Sequence, residues 1–213
     1  MSIGKESDDL VDIENVTLSH YESSAESFWH GTKDHDVSQN IAALLDALPK
    51  DKALDILDFG CGPGRDLHVF KSLGHNPVGL DGSQSFCDMA RKYSDCPVLH
   101  QQFLSLDLKE NTFDGIFANA SLFHVPSSEL PRILNEMHQA LRPNGILFTS
   151  NPRGSAEGWN GQRYGHYMEL ENSKNYLEEA GFKIIHHYYR PDGKPREQQP
   201  WVAIVSKALP KAL

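Results

Sequence analysis

The stretch LDILDFGCGPGRD, from Leu54 to Asp66, constrains this chain more than any other. Ile56, Leu57 and Phe59 have the character of a buried strand end. Gly60, Gly62 and Gly64 then fall at alternate positions before Asp66, a residue suited to capping a helix. The pattern is a strand, a tight glycine loop and a helix start. Glycine allows left-handed backbone angles and lets a ligand approach the main chain without a Cβ in the way. Loop N–H groups and a helix N-terminus offer donors to a carboxylate, a phosphate or a ribose. A dinucleotide fingerprint requires G-x-G-x-x-G. Here the spacing is G-x-G-x-G, with Arg65 where that last glycine would fall, so a hydride-transfer cofactor is disfavoured.

The rest of the chain bounds what such a loop can serve. At 213 residues and 39% apolar content it is long enough for one domain with a substantial core. A formal charge of -9 argues against a general nucleic-acid partner, because neutralising phosphates requires clustered Lys and Arg; a local basic pocket stays open. Cys61, Cys87 and Cys96 are odd in number and lack C-x-x-C spacing, which favours neither a disulfide framework nor a zinc ribbon. The expectation is a reducing, cytoplasmic location and no metal site. The sequence shows neither a secretory pattern nor an apolar run of membrane-spanning length, so no membrane partner is expected.

Taken in order, Met1 to about Glu14 is acidic and is expected to be a loose arm or fraying helix, followed by a short helical pattern through Trp29 that Gly31 breaks. A helix capped by Asp34 or Asp36 should carry Val37, Ile41, Leu44, Leu45 and Leu48 on one face. Its polar first turn, His35 to Asn40, is either a solvated helix start or a lid facing a ligand. We therefore divide the chain into an N-terminal helical cap or lid, residues 1–50, and a core, residues 51–213. Leu67 to Leu73 continues as a helix after the glycine loop, and Pro77 to Leu80 is a short strand ending at Asp81. An acid at a strand end about twenty residues beyond such a loop suits recognition of ribose hydroxyls. Further strands are expected at Val98–Phe103, Phe113–Ala120, Ile146–Ser150, Lys183–Tyr189 and Trp201–Ser206, with helices at Ser127–Leu141 and Glu171–Ala180. The alternation predicts an α/β fold with a mainly parallel sheet.

In their order, ILDFGCGPG, VGLDGS, FDGIFANASLFHV, LNEMHQALRPNGILF and LEEAGFKII make the chain resemble the class I S-adenosylmethionine-dependent methyltransferases, over roughly Leu54 to Ser206. The resemblance implies a Rossmann-like, seven-stranded sheet with helices on both faces and an antiparallel last strand. It implies S-adenosylmethionine as cofactor, with Asp58, Gly60, Gly62 and Gly64 around its methionine end. Asp81, followed by Gly82, would hold the ribose. Gln102 and Phe103 fall at the adenine, although Gln102 stands where an acid is commoner. Asn119 and His124 fall near the transferred methyl group. Tyr21, Phe28 or Trp29 can stabilise a sulfonium by cation–π attraction, or simply pack in the core.

Specificity is expected after the fifth strand, in NPRGSAEGWNGQRYGHY from Asn151 to Tyr167, and in RPDGKPREQQPW from Arg190 to Trp201. Arg153, Arg163 and Arg196, with Tyr164 and Tyr167, are the candidate substrate contacts, the arginines as clamps for a carboxylate or phosphate. The alternative for each arginine is a surface ion pair. His35 and His124 are the candidate general bases, or else structural hydrogen-bonding groups. The resulting expectation is methyl transfer to a small polar, possibly anionic, molecule. The alternatives are a protein or nucleic-acid acceptor, or cofactor binding without catalysis.

Overall fold

The computed structural model describes residues 3–210, with side chains described from Asp9 onward. Met1 and Ser2, where the expected acidic arm begins, lie outside the described residues. The arm itself is helical: α1 runs over Ile3–Ser23. Leu10, Ile13, Thr17, Leu18 and Tyr21 recur at helical spacing, are each at least partly buried, and hold the helix to the core despite its acids. Helix α2 (Ala25–Thr32) continues through Gly31, and α3 (Ser38–Asp46) starts after Val37 instead of at an aspartate. Asp36 still contributes there by accepting a hydrogen bond from the Ser38 N–H at 2.9 Å.

Strand β1 (Asp55–Phe59) is buried from Ile56 onward. It leads through the glycine loop into α4 (Arg65–Ser72) and β2 (Asn76–Asp81). Then come α5 (Gln84–Ser94), β3 (Val98–His100), β4 (Phe113–Asn119), α6 (Leu130–Ala140) and β5 (Leu141–Pro152). A hairpin of β6 (Glu157–Asn160) and β7 (Arg163–His166) occupies the Asn151–Tyr167 stretch in which specificity is expected. The chain closes with α7 (Leu170–Glu179), β8 (Phe182–Arg190) and β9 (Trp201–Ala208). The seven-stranded sheet has the order β3-β2-β1-β4-β5-β9-β8, and β9 runs antiparallel to both neighbours.

The period-two alternation of the strands divides the core. Leu57, Phe59, Ile116 and Ala118 face α6 through Ile133, Leu134 and Met137. Ile56, Phe117 and Phe148 face α3 and α4 through Ile41, Leu44 and Phe70. Helices thus cover both faces, as parallel strands require. Strand order reverses between β1 and β4, and the carboxyl ends of strands at such a switch point form a crevice. The glycine loop, Asp81 and Asn119 all stand at strand ends on that rim.

Candidate cofactor and substrate site

Gly60, Gly62 and Gly64 hold φ angles of 76°, 51° and 92°. A Cβ on Gly60 would lie 2.5 Å from Ser121 Cβ, so the first glycine is required by close packing as well as by conformation. The loop amides differ from expectation, because the protein itself satisfies most of them. The N–H groups of Gly60 and Cys61 donate to Leu80 O at 2.8 and 3.0 Å, and that of Gly64 donates to Cys61 O. Gly62 N–H donates to Asp81 Oδ2 at 2.9 Å. The loop therefore presents shape, and its donors fix it to β2. Gly64, not Asp66, holds the N-cap position of α4 and packs against the Ala90 backbone, lining neither cavity described below.

Asp66 instead lies in the first turn of α4, gripped by Arg65 through Nε at 2.7 Å and a second guanidinium nitrogen at 3.0 Å. Its remaining contact ends a partly buried chain of side chains. Tyr188 Oη donates to Asn40 Oδ1, Asn40 Nδ2 to Asn119 Oδ1 at 2.9 Å, and Asn119 Nδ2 to Asp66 Oδ2 at 3.3 Å. Arg65 also donates to Thr32 O at 2.9 Å, tying the end of α2 to the loop. The polar first turn of α3 thus divides: Asn40 is buried in this chain, Ser38 and Gln39 stay exposed, and His35 and Asp36 just ahead of the helix line a cavity.

Two adjoining cavities share Tyr21, Phe28, Gly60, Gly62 and Ala120. The narrow one, about 100 Å³, is a slot bounded by α1, Asp81, Gly82, Phe103, Leu104 and His124. The wide one, about 540 Å³, is walled by Trp29, His35, Asn119, Arg163, Arg190 and Trp201, with Arg65 and Asp66 also in its lining. At their junction Tyr21 Oη meets His124 Nε2 at 2.7 Å, while His124 Nδ1 meets Tyr164 O at 2.7 Å. A carbonyl only accepts, so Nδ1 carries the hydrogen and Nε2 accepts the Tyr21 O–H. Burial, with Arg163 and His20 adding to it, lowers the His124 pKa to about 4. Burial raises Tyr21, and the Arg163 guanidinium beside it pulls the other way.

The remaining sequence candidates separate by position. Arg153 binds Glu169 and the carbonyls of Arg196 and Gln199, and Arg196 lies over the Tyr189 ring; neither lines the slot or the wide cavity. Tyr164 donates its hydroxyl to Glu157 and contributes backbone to the site, whereas Tyr167 packs against Gly154 and Gly165. Of the proposed clamps only Arg163 reaches the wide cavity, where Arg190 joins it. Arg190 was within reach of the sequence, because it opens the second unusual stretch. Gln102 lines neither cavity, although Phe103 lines the slot and stacks on Phe59 with centroids 4.4 Å apart.

A crevice at a switch point, a glycine loop and a strand-end acid define a nucleotide-cofactor site of the Rossmann-like class. A family model for a methyltransferase domain matches residues 56–145. Similar curated proteins include a malonyl-[acyl-carrier protein] O-methyltransferase of Pectobacterium atrosepticum, 30% identical over 105 residues and matched across 49% of this chain and 41% of that one. A sterol 24-C-methyltransferase of Saccharomyces cerevisiae is 31% identical over 102 residues, covering 43% and 26% of the two chains. The chain thus spans less than half the length of these relatives. Among solved structures, the Burkholderia thailandensis 1,6-didemethyltoxoflavin-N1-methyltransferase, crystallised with 1,6-didemethyltoxoflavin and S-adenosylhomocysteine, superposes with a TM-score of 0.74. It is 20% identical, with 92% of this chain and 88% of that one covered, a likeness of fold. Residues 56–145 thus match a methyltransferase-domain family, and the fold is shared with S-adenosylmethionine-dependent methyltransferases of known structure.

The residues present fit S-adenosylmethionine. Asp58 is buried beneath the loop, and its Oδ2 has no hydrogen-bond partner among the described residues. Burial, then the neighbouring Asp66 and Asp81, hold its carboxyl well above the usual range, against the pull of Arg65. A buried acid without a donor is compensated by an arriving cation, and this cofactor carries an ammonium and a sulfonium. Asp81 suits the ribose, since each of its oxygens takes one backbone N–H and keeps acceptor capacity.

Proposed function

We propose that this chain transfers the methyl group of S-adenosylmethionine to a small polar, anionic molecule held in the wide cavity. The carrying observation is the pair Arg163 and Arg190 in the wall of that cavity; among the described residues neither forms an ion pair. A guanidinium facing a partly open cavity without an ion-pair partner suits an anionic ligand; Arg163 carries more of this reading than Arg190, which already donates to the Asp36 carbonyl at 2.8 Å. Arg65 contributes less, because Asp66 already neutralises it.

When bound, the cofactor supplies an electrophilic methyl carbon on a positively charged sulfur. The chain's own task is then to hold an acceptor in line and to exclude water. Tyr21, at the junction, is the side chain placed to orient the acceptor, and His124 fixes the Tyr21 hydroxyl. His124 is a poor final proton acceptor, because burial lowers its pKa to about 4 and so disfavours the imidazolium. We therefore assign His124 to positioning, and leave His35, in the wide-cavity wall, as the candidate base where the acceptor needs one.

Two measurements test this reading. Incubation with labelled cofactor and a fractionated metabolite extract should give a labelled product in the anionic fraction; label appearing only in macromolecules would overturn the small-molecule assignment. Once an acceptor is identified, Arg163→Ala should raise its KM at least about tenfold, the loss of a charge-assisted hydrogen bond. S-adenosylhomocysteine affinity should change little, and an effect confined to the cofactor would count against the clamp.

A further inference from the structure

The narrow slot has two carboxylates in its lining, Asp81 and Glu14. Asp81 belongs to the glycine-loop motif, but Glu14 comes from α1, far away in sequence and outside the matched methyltransferase segment. Its Oε1 accepts the Leu104 N–H at 2.9 Å. The Leu104 carbonyl accepts from Arg132 at 3.2 Å, so the Leu104 backbone is held at both its N–H and its C=O. Phe103, Leu104 and Glu14 therefore form one fixed edge of the slot, while Gln102 is absent from its lining.

A carboxylate in this position has a use beyond fastening α1. An ionised carboxylate has room for about four hydrogen bonds, so accepting from Leu104 leaves capacity for a donor inside the slot. Burial raises the Glu14 carboxyl, and the Leu104 and Phe103 amides offset part of that effect. A further N–H donor would stabilise the ionised form in the same way. Adenine presents such a donor in its 6-amino group. Hypoxanthine presents a carbonyl there, which would face the carboxylate oxygen to oxygen.

We infer that Glu14 reads the 6-amino group of the cofactor's adenine, α1 thereby supplying the nucleobase-selecting acid that the loop after β3 lacks at Gln102. This inference rests on the S-adenosylmethionine reading of the slot. It gives α1 a part in cofactor choice as well as in covering the site. An acid that accepts one ligand donor and repels the analogue's acceptor selects by both attraction and repulsion.

The test compares calorimetric affinities for S-adenosylhomocysteine and S-inosylhomocysteine in the full chain. The wild-type protein should prefer the adenosyl compound by at least about tenfold, as expected for a site built around a specific hydrogen bond. Glu14→Ala should bring the two within about threefold of each other. Glu14→Gln, whose amide can donate, should shift the ratio toward the inosyl compound. If Glu14 only fastens α1, both variants would weaken both ligands equally, and an unchanged ratio overturns the inference. Circular dichroism of each variant checks that it is folded. A wild-type protein that binds neither compound overturns the cofactor reading itself; one that binds both equally overturns only the role of Glu14.

Discussion

Asp81→Ala is expected to weaken S-adenosylhomocysteine binding by at least about a hundredfold. A carboxylate that accepts both ribose hydroxyls makes two charge-assisted hydrogen bonds, each contributing about 1.5–3 kcal/mol. The variant also releases the Gly62 and Ser83 amides, both held at 2.9 Å, and so loosens the loop that shapes the site. Calorimetry of the two proteins decides the matter: unchanged affinity would remove Asp81 from the cofactor site. Burial supplies an independent signature, since it raises the Asp81 pKa to about 6. In the unfolded chain a carboxyl of this kind titrates near 3.9, a difference of about 3 kcal/mol.

The sign follows from proton binding. Between about pH 4 and pH 6 the folded protein holds the Asp81 proton more tightly than the unfolded chain does. This group therefore lowers stability as pH rises through that window, and the full loss is present above pH 6. Asp81→Asn should remove that slope, so the stability difference between variant and wild type should grow in the variant's favour from pH 4 to pH 7. Cofactor affinity of the wild type should move the opposite way, rising through pH 6 as the carboxylate becomes free to accept hydroxyls. Parallel melting curves for the two proteins across this range would contradict the buried-acid account.

Much of this candidate site's framework was legible because its parts are local. LDILDFGCGPGRD specifies a strand, a loop and a helix within a few residues, and Asp81 follows at a distance fixed by one helix and one strand. The order of the α/β elements carries the sheet topology in the same way. Partnership across the chain was hidden. Arg153 and Arg163 sit in one glycine-rich stretch and look alike, yet Glu169 and two carbonyls engage the first, while the β6–β7 hairpin turns the second toward the cavity. Glu14 was masked for a related reason: a run of acids resembles a solvated arm until the partly buried stripe through Tyr21 is placed on one face. The loop amides were misread because a glycine loop declares its freedom but not its acceptors, and Leu80 O lies a strand away.

The same loop separates stability from binding, and Gly60→Ala is expected to have the largest effect on the fold. Its φ of 76° costs an L-residue about 1–2 kcal/mol. The added methyl would also lie 2.5 Å from Ser121 Cβ, whose hydroxyl is tied to Phe59 O, so the neighbour has little room to yield. Overpacking of this kind costs about 1–3 kcal/mol, for a total of about 2–5 kcal/mol, a large share of a typical domain's stability. Gly62→Ala provides the contrast. Its φ of 51° lies in the ordinary left-handed region, and its methyl would meet only the Phe28 edge at 3.7 Å. It should cost about 1 kcal/mol. Urea unfolding without ligand should therefore show a much lower midpoint for the Gly60 variant and a nearly native one for the Gly62 variant; equal midpoints would contradict the packing account. Because Gly62 borders both cavities, its added methyl enters the passage they share. The Gly62 variant should fold and bind S-adenosylhomocysteine weakly, which assigns the first glycine to the architecture and the second to the ligand.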